Sequence, residues 1–416
     1  MRLTYHHKKR RGIKDFFKVL GPGVITGAAD NDPSGIVTYT HAGATTGFKA
    51  LWLILITAPM LVVVEEMSAR VGIVTKKGLS ILIKENFGTK ITVLSALILI
   101  ICNVVTIGAD IAGMAAILEI FTGLNWVWFI FPIAFVLGYF LISESYKTVS
   151  RYLLLLTPVF LAYIFAGLIA NPNWGAVIKD TLVPQIDLSK EYLLVVMAIL
   201  GTTISPYLIF WQTTEEIEEK KTVKDLKDEK IDVRSGMIYC NLISYFIILS
   251  AGALIFSRST GGMTLSNMGD AAAALKTFGS NGSLLLFSIG ILGSGLLAIP
   301  VLASSTAYAL ADTMHWKEGL DKSIFQARGF YFILILSLLF GASLAFLNIR
   351  PVDMLFYSQV LQGILTPILL FLLIRITSNS KIMGKYTNGI FSNTIGWITV
   401  TLMSFVSIVM FWQIIF

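Results

Sequence analysis

Charge is scarce in this chain. Of its 416 residues, 14% are Asp, Glu, Lys or Arg, against about 25% in an ordinary soluble domain. That scarcity excludes a soluble protein of this size, which needs more charged surface. The 55% hydrophobic fraction excludes a disordered chain. Cysteine is almost missing. Cys102 and Cys240 both lie in apolar runs, with no CxxC and no Cys/His cluster, so neither a zinc or iron–sulfur centre nor a disulfide framework is supported. The four histidines make no HxxxH or HExxH pattern, which removes an intramembrane zinc protease. No Gly-x-x-x-x-Gly-Lys-Ser/Thr occurs, so this chain holds no ATP-driven motor of that kind. A basic start (Lys8, Lys9, Arg10, Arg11) is followed by Gly21-Pro22-Gly23 and acids rather than by the small-residue cleavage site of a secretory signal.

What the chain has instead is long apolar runs. Spanning the hydrocarbon takes about 20 apolar residues, and eleven segments qualify, at about 20–46, 49–70, 91–121, 125–144, 149–171, 193–216, 235–257, 282–311, 328–348, 352–375 and 393–415. The fold class is therefore an all-α polytopic membrane protein. Lys and Arg set its orientation. With the tail 1–19 inside, it and the connections 70–90, 147–151, 220–234, 317–328 and 375–385 hold 26 of the 32 basic residues. The expected topology has a cytoplasmic N-terminus and an outside C-terminus, in the plasma membrane. The mixed-charge stretch 215–234 reads as a solvated cytoplasmic loop or helix extension, with Glu215 and Glu216 exposed. Of Glu65 and Glu66, at least one belongs to the cytoplasmic exit or to an ion pair with Arg70; the pair is the favoured reading, Glu66 standing four residues before Arg70.

Two segments are interrupted at mid-membrane. Segment 1 runs through Asp30-Asn31-Asp32-Pro33-Ser34-Gly35, and segment 6 through Gly201-Thr202-Thr203-Ile204-Ser205-Pro206-Tyr207. Proline pushes the residue before it out of the helical region and removes a donor. Unpaired backbone is tolerated in a membrane only where protein or a water-filled cavity satisfies it. Breaks in segments 1 and 6 are in register if residues 20–171 and 193–375 are two five-helix halves and 393–415 an extra helix. That pattern points to a secondary transporter with inverted repeats and a midplane site. Asp32, a hard anionic oxygen donor at a break, is the first candidate ligand for a cation, and a helix cap is its structural alternative.

At these residues the chain resembles the natural resistance-associated macrophage protein (NRAMP) family of divalent-metal transporters. The resemblance rests on Gly21-Pro22-Gly23, Asp32-Pro33, Ser68-Ala69-Arg70-Val71-Gly72, Ser205-Pro206-Tyr207 and Ser358-Gln359-Val360. It implies the LeuT-type fold of 5+5 inverted repeats, with about eleven helices of which 1 and 6 are broken. It also implies a metal site of Asp32, the Ala29 and Thr202 carbonyls, Ser205 and Gln359. The departures are as informative. The family's Asn ligand falls on Gly35, its Met ligand on Ser205, a His of helix 6 on Gln212 and the second acid of helix 3 on Gly113. The chain therefore reads as a divergent branch, resembling the NRAMP-related magnesium transporters.

Around this site, Asp30 and Asn31 can line the cavity, Thr203 and Tyr207 offer hydroxyls, and Asp110 and Gln212 stand where a proton path would run. Softness sets the expected ion. A thioether favours soft or borderline metals, and Ser205 replaces it, so the expected first shell is all oxygen. Mg²⁺ keeps its waters, and a site enlarged by Gly35 and Ser205 suits a partly hydrated ion. The expected activity is import of Mg²⁺ and/or Mn²⁺ by alternating access around Asp32, with proton coupling weak or absent. The alternative is a usual proton-coupled Mn²⁺/Fe²⁺ importer. A metal sensor, or an amino-acid or organic-cation transporter on the same fold, belongs to another class. The expected partners are a divalent metal ion as substrate and the lipid bilayer, with no nucleic acid, no resident cofactor and no enzymatic activity.

Overall fold

The computed structural model describes residues 22–143, 157–258 and 262–415. The basic tail 1–19, the connection 147–151 and the first part of segment 149–171 lie outside the described residues.

Segment 1 is two helices, α1 (Pro22–Ala29) and α2 (Pro33–Thr46). They are followed by α3 (Leu51–Thr75), α4 (Leu79–Phe87), α5 (Thr89–Thr122), α6 (Val127–Ser143), α7 (Leu161–Ile169) and α8 (Trp174–Leu182). Segment 6 is again a pair, α9 (Lys190–Thr203) and α10 (Pro206–Glu218). The remainder is α11 (Leu226–Leu254), the short α12 (Met268–Ala272), α13 (Ser280–Met314), α14 (Arg328–Leu344), α15 (Pro351–Thr377), the single turn α16 (Ser380–Met383) and α17 (Ile390–Ile415). Among the described residues, eight spans are long and apolar enough to cross a membrane, α9 and α10 together counting as one. Large apolar side chains face outward on them, Phe332 and Phe405 each being 62% exposed, as lipid-facing positions require.

The broken helices are enclosed by the unbroken ones. α1 and α2 pack on α11, α9 on α15, α10 on α3, and α5 on α13, α14 and α15. The α1–α11 contact is close because both faces are glycine: a side chain at Gly23 would reach the Val233 backbone within 2.5 Å, and one at Gly27 would strike Gly236.

The charged stretch 215–234 takes the helical form of the two expected, but it is less solvated than expected. α10 continues to Glu218 and α11 begins at Leu226, so only a short link is irregular. Glu215 and Glu216 are buried, as are Glu229 and Asp232. Hydrogen bonds and, for Glu229, an ion pair offset their burial. Glu215 Oε2 accepts from the Thr26 hydroxyl at 3.0 Å, Glu216 Oε1 from Gln212 Nε2 at 2.6 Å, and Asp232 Oδ2 from the Gly23 N–H at 2.8 Å. Lys221 pairs with Glu229 at 3.4 Å. The expected Glu66–Arg70 pair is also replaced. Glu66 pairs with Arg234 and with Lys230 (3.3 Å), and Arg70 donates to Asn388. Packing of α3 on α11 brings longer-range partners nearer than the residue one turn on.

Candidate functional site

Both breaks have the same backbone cause. Asp32 and Ser205 each precede a proline at the first helical position, and each is extended, at φ −66°, ψ 169° and φ −86°, ψ 138°. Each break therefore faces the start of a new helix toward the centre of the bundle, where the residues singled out from the sequence gather. Asp32, Thr202 and Ser205 are 1% exposed, and Ala29, Asp30, Asn31, Asp110, Tyr207, Gln212 and Gln359 are fully buried.

Asp32 Oδ1 accepts from the Gly35 N–H and caps α2. Gly35 is not an enlargement of the site. A Cβ there would lie 2.7 Å from Thr202 Oγ1, 3.0 Å from Asp32 Oδ1 and 3.2 Å from the Asp30 carbonyl. The missing side chain draws those three oxygens together rather than leaving a gap. Asp110, from α5, reaches the same helix start. Its Oδ1 accepts from the Ser34 N–H (3.1 Å) and hydroxyl (2.6 Å). The Ser358 hydroxyl lies 3.2 Å from Ser34 Oγ, and Gln359 Nε2 donates to Ser358 at 3.4 Å. Two carboxylates thus share the positive end of α2. Gly113, where the second helix-3 acid was expected to be lost, packs against Leu355, whose Cδ1 lies 2.9 Å from where a Cβ would be. A side chain there would have to displace the tip of Leu355.

The carbonyls expected as ligands already accept hydroxyls. Tyr207 donates to the Ala29 carbonyl at 2.9 Å, bridging the two breaks, and Tyr39 meets Thr203 Oγ1 at 3.0 Å beside it. Ser205 Oγ turns to its own helix, 3.0 Å from the Gly201 carbonyl and 2.9 Å from that of Thr202. A carbonyl has two lone pairs, so Ala29 and Thr202 each keep one for an ion. Gln212 stands two turns along α10 from the break, tied to Glu216, and is not brought to Asp32.

Several buried oxygens around α2's first turn lack a hydrogen-bond partner: Thr202 Oγ1, Gln359 Oε1 and Asp110 Oδ2. Native interiors rarely leave such atoms unpaired. Orphaned oxygens converging from different helices suit a cation better than an anion. Among the described residues no three His, Cys, Asp or Glu side chains form a ready metal cluster. A bound ion is therefore left to a mixed shell of carboxylate, amide, hydroxyl and carbonyl oxygens.

Cys240 and Ser244 carry no signal in the sequence strong enough to place them at the site. The Cys240 thiol donates to Asp30 Oδ2 at 2.8 Å, and one turn on, Ser244 donates to Asn31 Oδ1 at 3.3 Å. Their i, i+4 spacing in an apolar run was the available signal. Glu65, expected at the cytoplasmic exit or in a pair with Arg70, is fully buried with neither oxygen hydrogen-bonded.

The fold defines the class. The chain superposes on a Na⁺-coupled sialic acid symporter with a TM-score of 0.61 at 12% identity, covering 95% of this chain and 92% of that one. It superposes on a manganese transporter of Eremococcus coleocola with a TM-score of 0.76 at 15% identity, covering 97% and 88%. It is a multi-pass integral membrane protein of the LeuT-type transporter fold, its broken helices being α1/α2 and α9/α10. Within that class the chain belongs to the natural resistance-associated macrophage protein-like (NRAMP) family, whose model matches residues 23–413. In sequence it is 26% identical over 422 residues to the divalent metal cation transporter MntH of Deinococcus radiodurans, covering 97% of this chain and 92% of that protein. These relatives are transporters, not enzymes.

Proposed function

We propose that this protein carries divalent metal cations, Mg²⁺ and/or Mn²⁺, into the cell by alternating access around Asp32. The reading rests on one observation: Asp32 stands at the α1/α2 break among buried, unpartnered oxygens of Thr202, Gln359 and Asp110. The Ala29 and Thr202 carbonyls and Ser205 complete the set. Asp32 supplies the charge that replaces part of the hydration shell, and neutral oxygens supply the rest. The excess of Lys and Arg in the tail and its companion loops supports a cytoplasmic N-terminus. Entry is from the outer side, and release follows a rocking of α1 and α10.

Mg²⁺ is favoured by the oxygen-only shell and by the absence of a thioether at Ser205. One observation favours Mn²⁺: the Cys240 thiol beside Asp30 is a softer donor within a turn of the site. Uptake into proteoliposomes decides. Mg²⁺ that competes with Mn²⁺ supports the first reading, and strong Cd²⁺ or Fe²⁺ transport without Mg²⁺ competition overturns it. Proton coupling is weak or absent on this reading, because Gln212 and Gly113 replace titratable groups. Metal-driven acidification of vesicles that disappears in Asp110→Asn would contradict that.

A further inference from the structure

Two carboxylates near the break take no part in the Asp32 site. Asp30 is fully buried. One of its oxygens accepts the Cys240 thiol at 2.8 Å, and Oδ1 meets no donor. The charged side chains within electrostatic reach of Asp30 include Asp32 and Glu65, both acidic. Glu65 of α3 is fully buried as well, and neither of its oxygens is hydrogen-bonded. A structural carboxylate in a membrane pairs with a base or collects N–H donors. Glu66, its neighbour in sequence, does the former with Lys230 and Arg234, and Glu65 does neither.

Its place in the bundle is set by its helix face. Leu61 and Ala69, one turn either side of Glu65, pack on Val233 and Met237 of α11. Glu65 therefore faces α11 about one turn nearer the basic end than Cys240 and Asp30. From that end a cleft of about 140 Å³ enters between α3 and α11, and Ala69 and Val233 form part of its lining together with Glu66 and Glu229. The layer that covers Glu65 is also the inner wall of the cleft. Asp32, Asp30, Glu65 and the cleft thus descend in order from the midplane.

We propose that Asp30 and Glu65 form a second station for the divalent cation, between the Asp32 site and the cytoplasmic cleft, which holds the ion with its remaining waters as the inner side opens. This rests on the transport reading given above. Two carboxylates neutralise a divalent charge, and hard oxygen donors with water suit Mg²⁺ or Mn²⁺. The Cys240 thiol fixes one Asp30 oxygen and leaves the other for the ion. Each carboxylate on the way lowers the barrier for an ion that would otherwise leave Asp32 into an apolar interior.

The test is equilibrium binding of radioactive Mn²⁺ to the full chain in lipid nanodiscs, with uptake measured in proteoliposomes. Wild type is expected to bind two ions per chain, Asp32→Asn one, Glu65→Gln one and the double variant none. Glu65→Gln is expected to lower the maximal uptake rate at least about tenfold, with half-saturation near wild type because the Asp32 site is intact. It should melt at or above wild type, since a neutral amide replaces an unpartnered carboxyl, and Glu65→Asp should keep the second ion. Wild-type stoichiometry and rate in Glu65→Gln would overturn the second station. One ion in wild type, lost in Asp32→Asn but kept in Glu65→Gln, removes the station and leaves the transport reading standing. No Mn²⁺ bound to wild type removes both.

Discussion

The two helix breaks share a backbone and differ in chemistry. Both put an extended residue before a proline that opens a new helix. At the first, the residue is an acid whose Oδ1 takes the Gly35 N–H, and a second acid, Asp110, takes the Ser34 N–H. At the second, Ser205 makes no cap and bonds back to its own helix. One break concentrates negative charge, and the other satisfies itself. The same local geometry thus carries charge at one break and only neutral oxygens at the other. The contrast predicts that substitutions at the first break cost transport and those at the second cost little.

The largest effect should come from Asp32→Ala. Uptake is expected to fall to background, because no neutral oxygen replaces the anionic ligand. Loss of the cap costs about 1 kcal/mol of stability, so the purified variant should still fold, as a monodisperse elution profile would show. Saturable uptake by Asp32→Ala would break the comparison outright.

Gly35→Asn comes next, and it tests whether an amide ligand can be put back at the first break. The Cβ alone would lie 2.7 Å from Thr202 Oγ1. Overpacking of this kind costs about 1–3 kcal/mol. Transport should drop about tenfold with a lowered melting midpoint, as a misplaced ligand is felt over distances near 1 Å. A gain in uptake would mean that α2 and α9 separate easily.

Much of this was legible in the sequence. Pro33 and Pro206 marked both breaks, and the register of segments 1 and 6 pointed to the LeuT-type fold. Asp32 and Asp110 stood out because ionisable residues are expensive in a membrane. What stayed hidden depends on which helices touch. Glu65 was read with Glu66 and Arg70 because those are its neighbours in sequence, whereas it is the α3–α11 contact that isolates it. Glu215 and Glu216 read as exposed residues at the end of segment 6, and it is Thr26 and Gln212, as their partners, that allow them to be buried. Cys240 looked like one more apolar residue of its run, and only its distance to Asp30 changes that reading. Gly35 was taken for empty space, and the structure fills it with the oxygens of its neighbours.

Asp110→Asn should act more mildly than either change above. The amide oxygen can still accept from Ser34, so α2 keeps that capping contact, but the second negative charge at the helix start is lost. A charge at a helix terminus in a partly buried setting is worth up to about 2 kcal/mol. Half-saturation for Mn²⁺ should rise about fivefold, near 1 kcal/mol, with the maximal rate little changed. An unchanged half-saturation would mean that Asp110 serves the fold alone.

The smallest effect should be Ser205→Ala. The hydroxyl spends its proton within α9 and makes no cap to α10. Removing it therefore takes away no tertiary hydrogen bond, and a Ser or Thr that bonds back to its own helix contributes little to that helix. Stability should shift by no more than about 0.5 kcal/mol. The Thr202 carbonyl, freed of its hydroxyl partner, becomes a better acceptor for the ion, which offsets the lost oxygen. Uptake should stay within about twofold of wild type. A loss as deep as that of Asp32→Ala would make Ser205 an indispensable ligand rather than a peripheral one and erase the difference between the two breaks. Ser205→Met sharpens the same point in the other direction. A thioether at this position should raise Cd²⁺ uptake relative to Mg²⁺, and an unchanged ratio would put Ser205 outside the ion's reach.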